Sequence, residues 1–397
     1  MRGFWNKLGH RFLLKISEGS LMVTYPCGES INYGDDSSKT KAILKIYKNS
    51  FFKNLFLYGD IGFGESYMYE DFSTNSLDNL IKIGIINSKK LGTLTNDEKG
   101  KWINLLPNLN ILKQKLRKNS KKNSKKNISE HYDLSNDFFE LILDDSMLYS
   151  SAVFNENNSL SKAQENKLQL LVDKLDIKEN SHILEIGSGW GAAALYLAKN
   201  TNCKVTTVTL SIEQKKFCEE RFAKEGLSDK IEVLLKDYRD VQGQYDGIIS
   251  IEMFEAVGKE YFATFFKKCD ELLKPNKNLV MQVITIPAQR YKYYSKSTDF
   301  IQKYIFPGGH LPSIEKMIEN TSKHTSFNLT HLSDYTNDYA KTLNTWYDNF
   351  QGNIEKVKEL GFDTKFIKMW EMYLKYCEMG FIDNKINLNQ LTLKKAI

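Results

Sequence analysis

From His182 to Thr285 the chain switches repeatedly between short apolar runs and longer helical patterns, and this alternation limits its fold more than any other feature. HILEI has the length and texture of a buried strand, and GAAALYLAKN follows it with helical spacing. KVTTVTL, KIEVLLKD, YDGIISI and NLVMQVITI repeat the strand texture. IEQKKFCEERFAKEG and YFATFFKKCDELLK read as helices between them, the second stopped by Pro275. Strands alternating with helices of about 10 to 15 residues imply a mostly parallel sheet covered on both faces. The expected fold is α/β, a Rossmann-like doubly wound sheet.

The flanking sequence adds a second domain and a cover. At 397 residues the chain is long enough for two domains. SLMVTYP, ESINYG and AILKIY read as strands, Asp60 to Gly64 as a turn and SLDNLIKIGIIN as a short helix, which together make a small N-terminal α+β domain over 1–116. Eight Lys or Arg and no acid lie between Lys113 and Lys126, and without them the net charge of +6 would be −2. That Ser/Asn-rich run reads as a linker over 117–127 that also suits anionic lipid, whereas no nucleic-acid module accompanies it. The main domain is expected over 128–397. A cap at Ser159 or Ser161 opens a helix there, and two amphipathic helices, DYAKTLNTWYDNFQGNIEKVKEL and FIKMWEMYLKYCEMGF, close it as a lid after the aromatic stretch RYKYYSKSTDFIQKYIFPGGHLPS.

Several classes are set aside. There is no run of about 18 apolar residues, and the start lacks the apolar core and cleavage site of a signal peptide. Five dispersed cysteines without a CxxC pair argue against a disulfide framework or a zinc site, and six scattered histidines against a catalytic metal. A cytoplasmic location fits.

The chemistry starts at Gly187-Ser-Gly189-Trp-Gly191, the first strand-to-helix turn, where open α/β sheets bind ligands. A dinucleotide fingerprint would put the third glycine one residue later, and a phosphate loop would need a GK[ST] that is absent. Glu185, inside the strand end ahead of GxGxG, resembles the pattern of class I methyltransferases, which implies S-adenosylmethionine as the ligand. Strand two ends in VTTVTLSIEQ without the usual ribose-binding acid, which leaves Gln214 or the backbone of Thr209, Leu210 and Ser211. Asp237 in LKDYRD stands where an acid facing the adenine end is expected.

EHYDLSNDFF with MLYSSAVF, LEIGSGWG, VTLSIEQ, DYRD, SIEMFEAVG, KYIFPGGHLPS and DYAKTLNTW, in this order, resemble the cyclopropane-fatty-acyl-phospholipid synthases from about Ser129 onward, and GSLMV and GDIGFGESYM resemble the extra domain of longer members. The resemblance implies methyl transfer from S-adenosylmethionine to a cis double bond of a phospholipid acyl chain, then loss of a proton from the new methyl and ring closure. It implies cofactor contacts from Tyr149, Ser150, Trp190 and Tyr238 besides the residues above, and a substrate region with His131, Phe254 and Tyr304. Tyr149, Phe254, Tyr304 and Tyr339 are aromatic faces suited to a cation. Relatives hold a bicarbonate ion as base, carried over here to Glu255, Tyr339 and the backbone of Ile284. It further implies a protein peripheral to the inner face of an anionic phospholipid bilayer, and a homodimer is allowed for.

Two departures fall in that pocket. The chain reads Tyr149-Ser150-Ser151 where many relatives have YSC, and Gln282 where many have a histidine, so no imidazole relay exists there. Ser151 and Gln282 are expected to hydrogen-bond the anion. Cys377, sometimes described in the family as an active-site cysteine, has apolar helical neighbours and reads better as a packing thiol. Close alternatives are a methylene- or methyl-branched acyl product and methylation of a small amine; a lipid-binding protein without turnover is a third reading.

Overall fold

The computed structural model describes residues 3–92, 119, 135–156 and 158–397. The chain divides into two compact units. The first combines Met1–Leu116 with Lys292–Ile305 and Phe350–Asp383; the second holds Arg117–Tyr291, Phe306–Asn349 and Asn384–Ile397. A continuous domain over 128–397 is therefore replaced by an interrupted one. The basic linker expected over 117–127 lies outside the described residues, apart from Asn119.

In the first unit β1 (Ser20–Thr24), β2 (Ser30–Gly34), β3 (Lys41–Ile46) and β4 (Phe72–Thr74) form a sheet in the order β2-β1-β3-β4. β1 runs antiparallel to β2 and parallel to β3. Asp60 to Gly64, expected as a turn, instead lies inside the helix Phe51–Met68, whose kink falls at Gly59 with φ 61°. The helix Thr364–Ile382 belongs to this unit because it supplies partners here: Glu371 accepts a 2.8 Å hydrogen bond from Tyr67, and Tyr376 donates to the buried Asp60 at 3.2 Å.

The second unit carries the alternating series as read. Its strands are β5 (His182–Ile186), β6 (Lys204–Thr209), β7 (Ile231–Leu235), β8 (Gly247–Ile251), β9 (Asn278–Thr285), β10 (Phe327–Asp334) and β11 (Asn387–Lys395), in the order β10-β11-β9-β8-β5-β6-β7. β5 to β9 are parallel to their neighbours among themselves, while β11 returns antiparallel to β9 and β10 antiparallel to β11. Successive strand residues point to opposite faces. Ile183 accordingly joins a cluster with Leu171, Ala194, Val205 and Phe222, and Leu184 one with Phe254, Phe265 and Met281. Ser159 and Ser211 cap the helices Leu160–Asp173 and Ile212–Lys224 by accepting from Lys162 and Gln214, each cap contributing about 1 kcal/mol.

The chain runs β5-β6-β7 outward, then reverses to place β8 on the other side of β5. That reversal is the switch point beyond whose strand ends open sheets bind ligands.

Candidate active site

The turn after β5 is shaped by its glycines. Gly187, Gly189 and Gly191 have φ of 100°, 49° and 82°, a region that side chains disfavour. A Cβ at Gly191 would stand 2.7 Å from the Phe222 ring, whereas nothing lies within 4 Å of one at Gly189, so the turn packs on one side and leaves a cradle on the other. Beside it Glu185 Oε2 and Ser188 Oγ are buried without a hydrogen-bond partner. Burial pushes the Glu185 carboxyl up to about 8. These orphaned acceptors and the open turn fit the amino-acid end of S-adenosylmethionine, where an ammonium would satisfy Glu185.

The remaining cofactor candidates have mixed placements. Thr209 donates to Gln214 Oε1 at 2.8 Å, and Thr209 Oγ1 accepts from the Ser211 N–H at 3.1 Å, so this corner beside Leu210 is internally bonded. Asp237 is gripped by its own neighbour: Arg239 donates to both carboxylate oxygens at 2.8 and 2.6 Å. Its expected freedom to face an adenine is thereby reduced to the lone pairs the fork leaves over. The Tyr238 ring packs edge-on against Phe265 at 5.4 Å. Trp190 donates to Asn136 at 2.8 Å and its ring lies 4.7 Å from Phe139.

The second half of the site grows from the end of β8, and its centre is Glu252. Ser151 N–H and Gln282 Nε2 both donate to Glu252 Oε1 at 2.8 Å, and Tyr339 OH donates to Oε2 at 2.6 Å. Gln282 also donates to Ser151 O at 3.1 Å and accepts from Gln390 of β11, which in turn accepts from Lys174. Next to Ser151, Ser150 Oγ accepts from the fully buried Lys167 ammonium at 2.7 Å, and Gln164 donates to Ser150 O at 2.9 Å. Burial raises the Glu252 pKa, while Tyr339, Gln282, Lys167 and Ser151 pull it back. Burial lowers Lys167 to about 8 against the opposing pull of Glu252 and Asp144.

This arrangement corrects the expected anion pocket. Tyr339 and Gln282 bind Glu252, and Ser151 does so through its backbone, its hydroxyl donating to Ala152 O instead. The Ile284 N–H donates to Glu255 Oε1 at 2.5 Å, so it is occupied by a side chain. Glu255 Oε2 is buried without a partner, and burial together with Glu252 pushes its carboxyl up to about 8. Glu255 therefore holds a proton more tightly than a free glutamate.

An aromatic wall stands beside these carboxylates. Tyr149 lies 5.2 Å from Phe139, 5.3 Å from Trp346 and 6.3 Å from Phe306, and Trp346 lies 6.3 Å edge-on from Tyr339. Phe254 is not part of it. Fully buried, it stacks 4.6 Å from Phe262 and touches Phe265 and Phe266 in the core, because the short turn after Glu252 directs it under the sheet end. Tyr304 and Cys377 belong to the first unit. There Tyr304 donates to Glu65 at 2.6 Å, and Cys377 is a half-buried thiol whose pKa burial raises, so nothing favours a thiolate. His131 lies outside the described residues.

Glu252 is the residue that sequence reasoning missed, together with Phe139, Lys167, Trp346 and Gln390. Glu252 stands at the first position past an apolar strand, where a side chain reaches the ligand crevice, and that position was its available signal.

Comparison with known proteins finds relatives of this chain. A family model described as mycolic acid cyclopropane synthetase matches residues 119–391. The chain is similar to tuberculostearic acid methyltransferase of Mycobacterium tuberculosis, 36% identical over 346 residues, covering 85% of this chain and 79% of that protein. It is also similar to cyclopropane-fatty-acyl-phospholipid synthase of Escherichia coli, 33% identical over 366 residues, covering 90% and 88%. Among solved structures, a cyclopropane synthase from Mycobacterium tuberculosis superposes with a TM-score of 0.64 at 31% identity, covering 68% of this chain and 98% of that one. A mycolic acid cyclopropane synthase complexed with S-adenosylhomocysteine, at 30% identity, gives the same score and coverages.

Proposed function

We propose, on the premise that this chain belongs to the mycolic acid cyclopropane synthetase family and is an S-adenosylmethionine-dependent methyltransferase of the cyclopropane synthase type, that its acceptor is a membrane phospholipid and its product a cyclopropane ring. Transfer of a one-carbon unit to unsaturated acyl chains is the coarser activity its relatives support. One observation carries the finer reading. The similarity to the phospholipid-named enzyme runs over 90% of the chain, whereas the two cyclopropane synthase structures cover 68%.

S-adenosylmethionine supplies an electrophilic methyl group. The chain's residues do the rest: the turn after β5 and Glu185 hold the amino-acid end, and the wall of Phe139, Tyr149, Phe306 and Trp346 excludes water. Each desolvated aromatic face stabilises a nearby cation by about 1 to 2 kcal/mol. A carboxylate at the end of β8 then removes a proton from the transferred methyl.

A methyl-branched product is the second reading, supported by the 36% identity to the tuberculostearic acid enzyme. Purified protein with S-adenosylmethionine and vesicles of monounsaturated phospholipid tests both. Release of S-adenosylhomocysteine with upfield cyclopropyl protons in the lipid NMR spectrum is the expected result; vinylidene or branched-methyl signals without them would replace the cyclopropane reading. Binding of the protein to anionic vesicles should weaken with salt, as its basic run predicts.

A further inference from the structure

The resemblance reserves a pocket in this family for a bicarbonate base, and in this chain that pocket's donors are already taken. Three of the groups expected around the ion, Ser151, Gln282 and Tyr339, converge on one carboxylate of the chain itself. The fourth, the Ile284 N–H, is bound by Glu255. We propose that Glu252 is the general base of the reaction, a built-in carboxylate standing where relatives recruit an ion, so that turnover needs no bicarbonate. This deepens the proposed function and depends on the acceptor being an unsaturated acyl chain.

Further observations agree. Glu252 has φ 49°, a left-handed conformation costing a non-glycine residue about 1 kcal/mol or more, and such strain concentrates at functional sites. Its backbone N–H is anchored to Gln282 O at 2.8 Å, which fixes that conformation on the sheet. The neighbouring Met253 packs under Gly187, within 2.9 Å of where a Cβ would stand, which ties the carboxylate to the cofactor turn. Oε1 accepts two N–H donors, an arrangement that suits a carboxylate. The buried Lys167, one residue away through Ser150, supplies a compensating charge, and Glu255 lies close enough that Glu252 raises its pKa.

The step balances simply. The acyl double bond takes the methyl group and leaves a cation on the neighbouring carbon. A Glu252 oxygen forms an O–H bond with one methyl hydrogen, and the C–H electron pair closes the ring. The carboxylic acid then returns its proton to water after product leaves. Burial raises the pKa of this carboxylate and so strengthens its pull on a proton over one in water, while its donors temper the rise.

The test uses the full-length protein, unsaturated phospholipid vesicles and buffers depleted of carbon dioxide, with and without added bicarbonate. Wild-type turnover should change less than about 2-fold on adding bicarbonate. Glu252→Gln should lose about 100-fold or more, the usual scale for a positioned base, and gain nothing from bicarbonate because the amide still fills the pocket. Glu252→Gly vacates the pocket, relaxes the positive φ and should regain activity with bicarbonate. Binding of S-adenosylhomocysteine, measured by calorimetry, should stay within a few-fold in both variants. Wild-type turnover that collapses without bicarbonate, or Glu252→Gln turning over at the wild-type rate, would overturn the assignment of the base alone. No turnover by the wild type with any vesicle would overturn the acyl reading and this one with it.

Discussion

Two buried carboxylates at neighbouring strand ends meet opposite situations. Glu185, inside β5, keeps one oxygen without a partner, and Glu252, just past β8, has both engaged. A buried acceptor left unpaired costs about 1 to 3 kcal/mol, so it marks a place that a ligand completes. A carboxylate held by three donors is finished before any ligand arrives. One side of the switch point is thus completed by binding and the other is organised in advance for a proton.

Beyond the loss of turnover expected of Glu252→Gln, the largest effect from breaking this contrast is on the ligand side. Glu185→Gln should weaken S-adenosylmethionine binding about 10- to 100-fold, the scale of a lost charged hydrogen bond, while a calorimetric titration showing unchanged affinity would erase the distinction. Tyr339→Phe acts on the other side and should lower turnover about 10-fold. Its phenol pulls the Glu252 pKa down, so its removal raises that pKa and moves the acidic limb of the pH–rate profile to higher pH. Glu255, Lys167 and Asp144, the other titratable groups around this centre, are untouched by the change.

Stability against pH sharpens the same comparison. Glu185 and Glu255 both have folded pKa values near 8, raised from 4.5, so they favour the folded state in acid and lose that contribution as pH rises toward 8. At about 1.4 kcal/mol per pKa unit the loss is on the order of 3 kcal/mol or more for each. Thermal melts of the ligand-free protein should fall over this window. Glu185→Gln should recover several degrees at pH 8 and nothing at pH 4. The smallest effect concerns Phe254: Phe254→Leu should cost about 1 to 2 kcal/mol of stability in a urea titration and leave KM for S-adenosylmethionine unchanged, since the ring packs in the core.

The contrast also explains what was legible in the sequence. The glycine turn, the five parallel strands and the cap at Ser159 are local patterns, carried by residues close in the chain. Glu185 is set by the same local pattern. Glu252 and Glu255 stand three residues apart in SIEMFEAVG, and choosing between them needs to know where Tyr339 lands, 87 residues further on. The strand β11 was missed because NLNQLTLKK carries Asn389 and Gln390 on a central strand, where Gln390 is spent on Gln282. The two units interleave through Lys292–Ile305 and Phe350–Asp383, and an amphipathic helix such as Thr364–Ile382 does not declare in its own periodicity which core it joins.

The most direct measurement places Glu185→Gln and Glu252→Gln side by side, following S-adenosylhomocysteine binding by calorimetry and single-turnover methyl transfer to unsaturated vesicles with saturating cofactor. The account predicts that Glu185→Gln loses affinity but recovers much of its transfer at saturation, and that Glu252→Gln binds normally and stalls. Equal loss of binding in both, or normal product formation by Glu252→Gln, would contradict it.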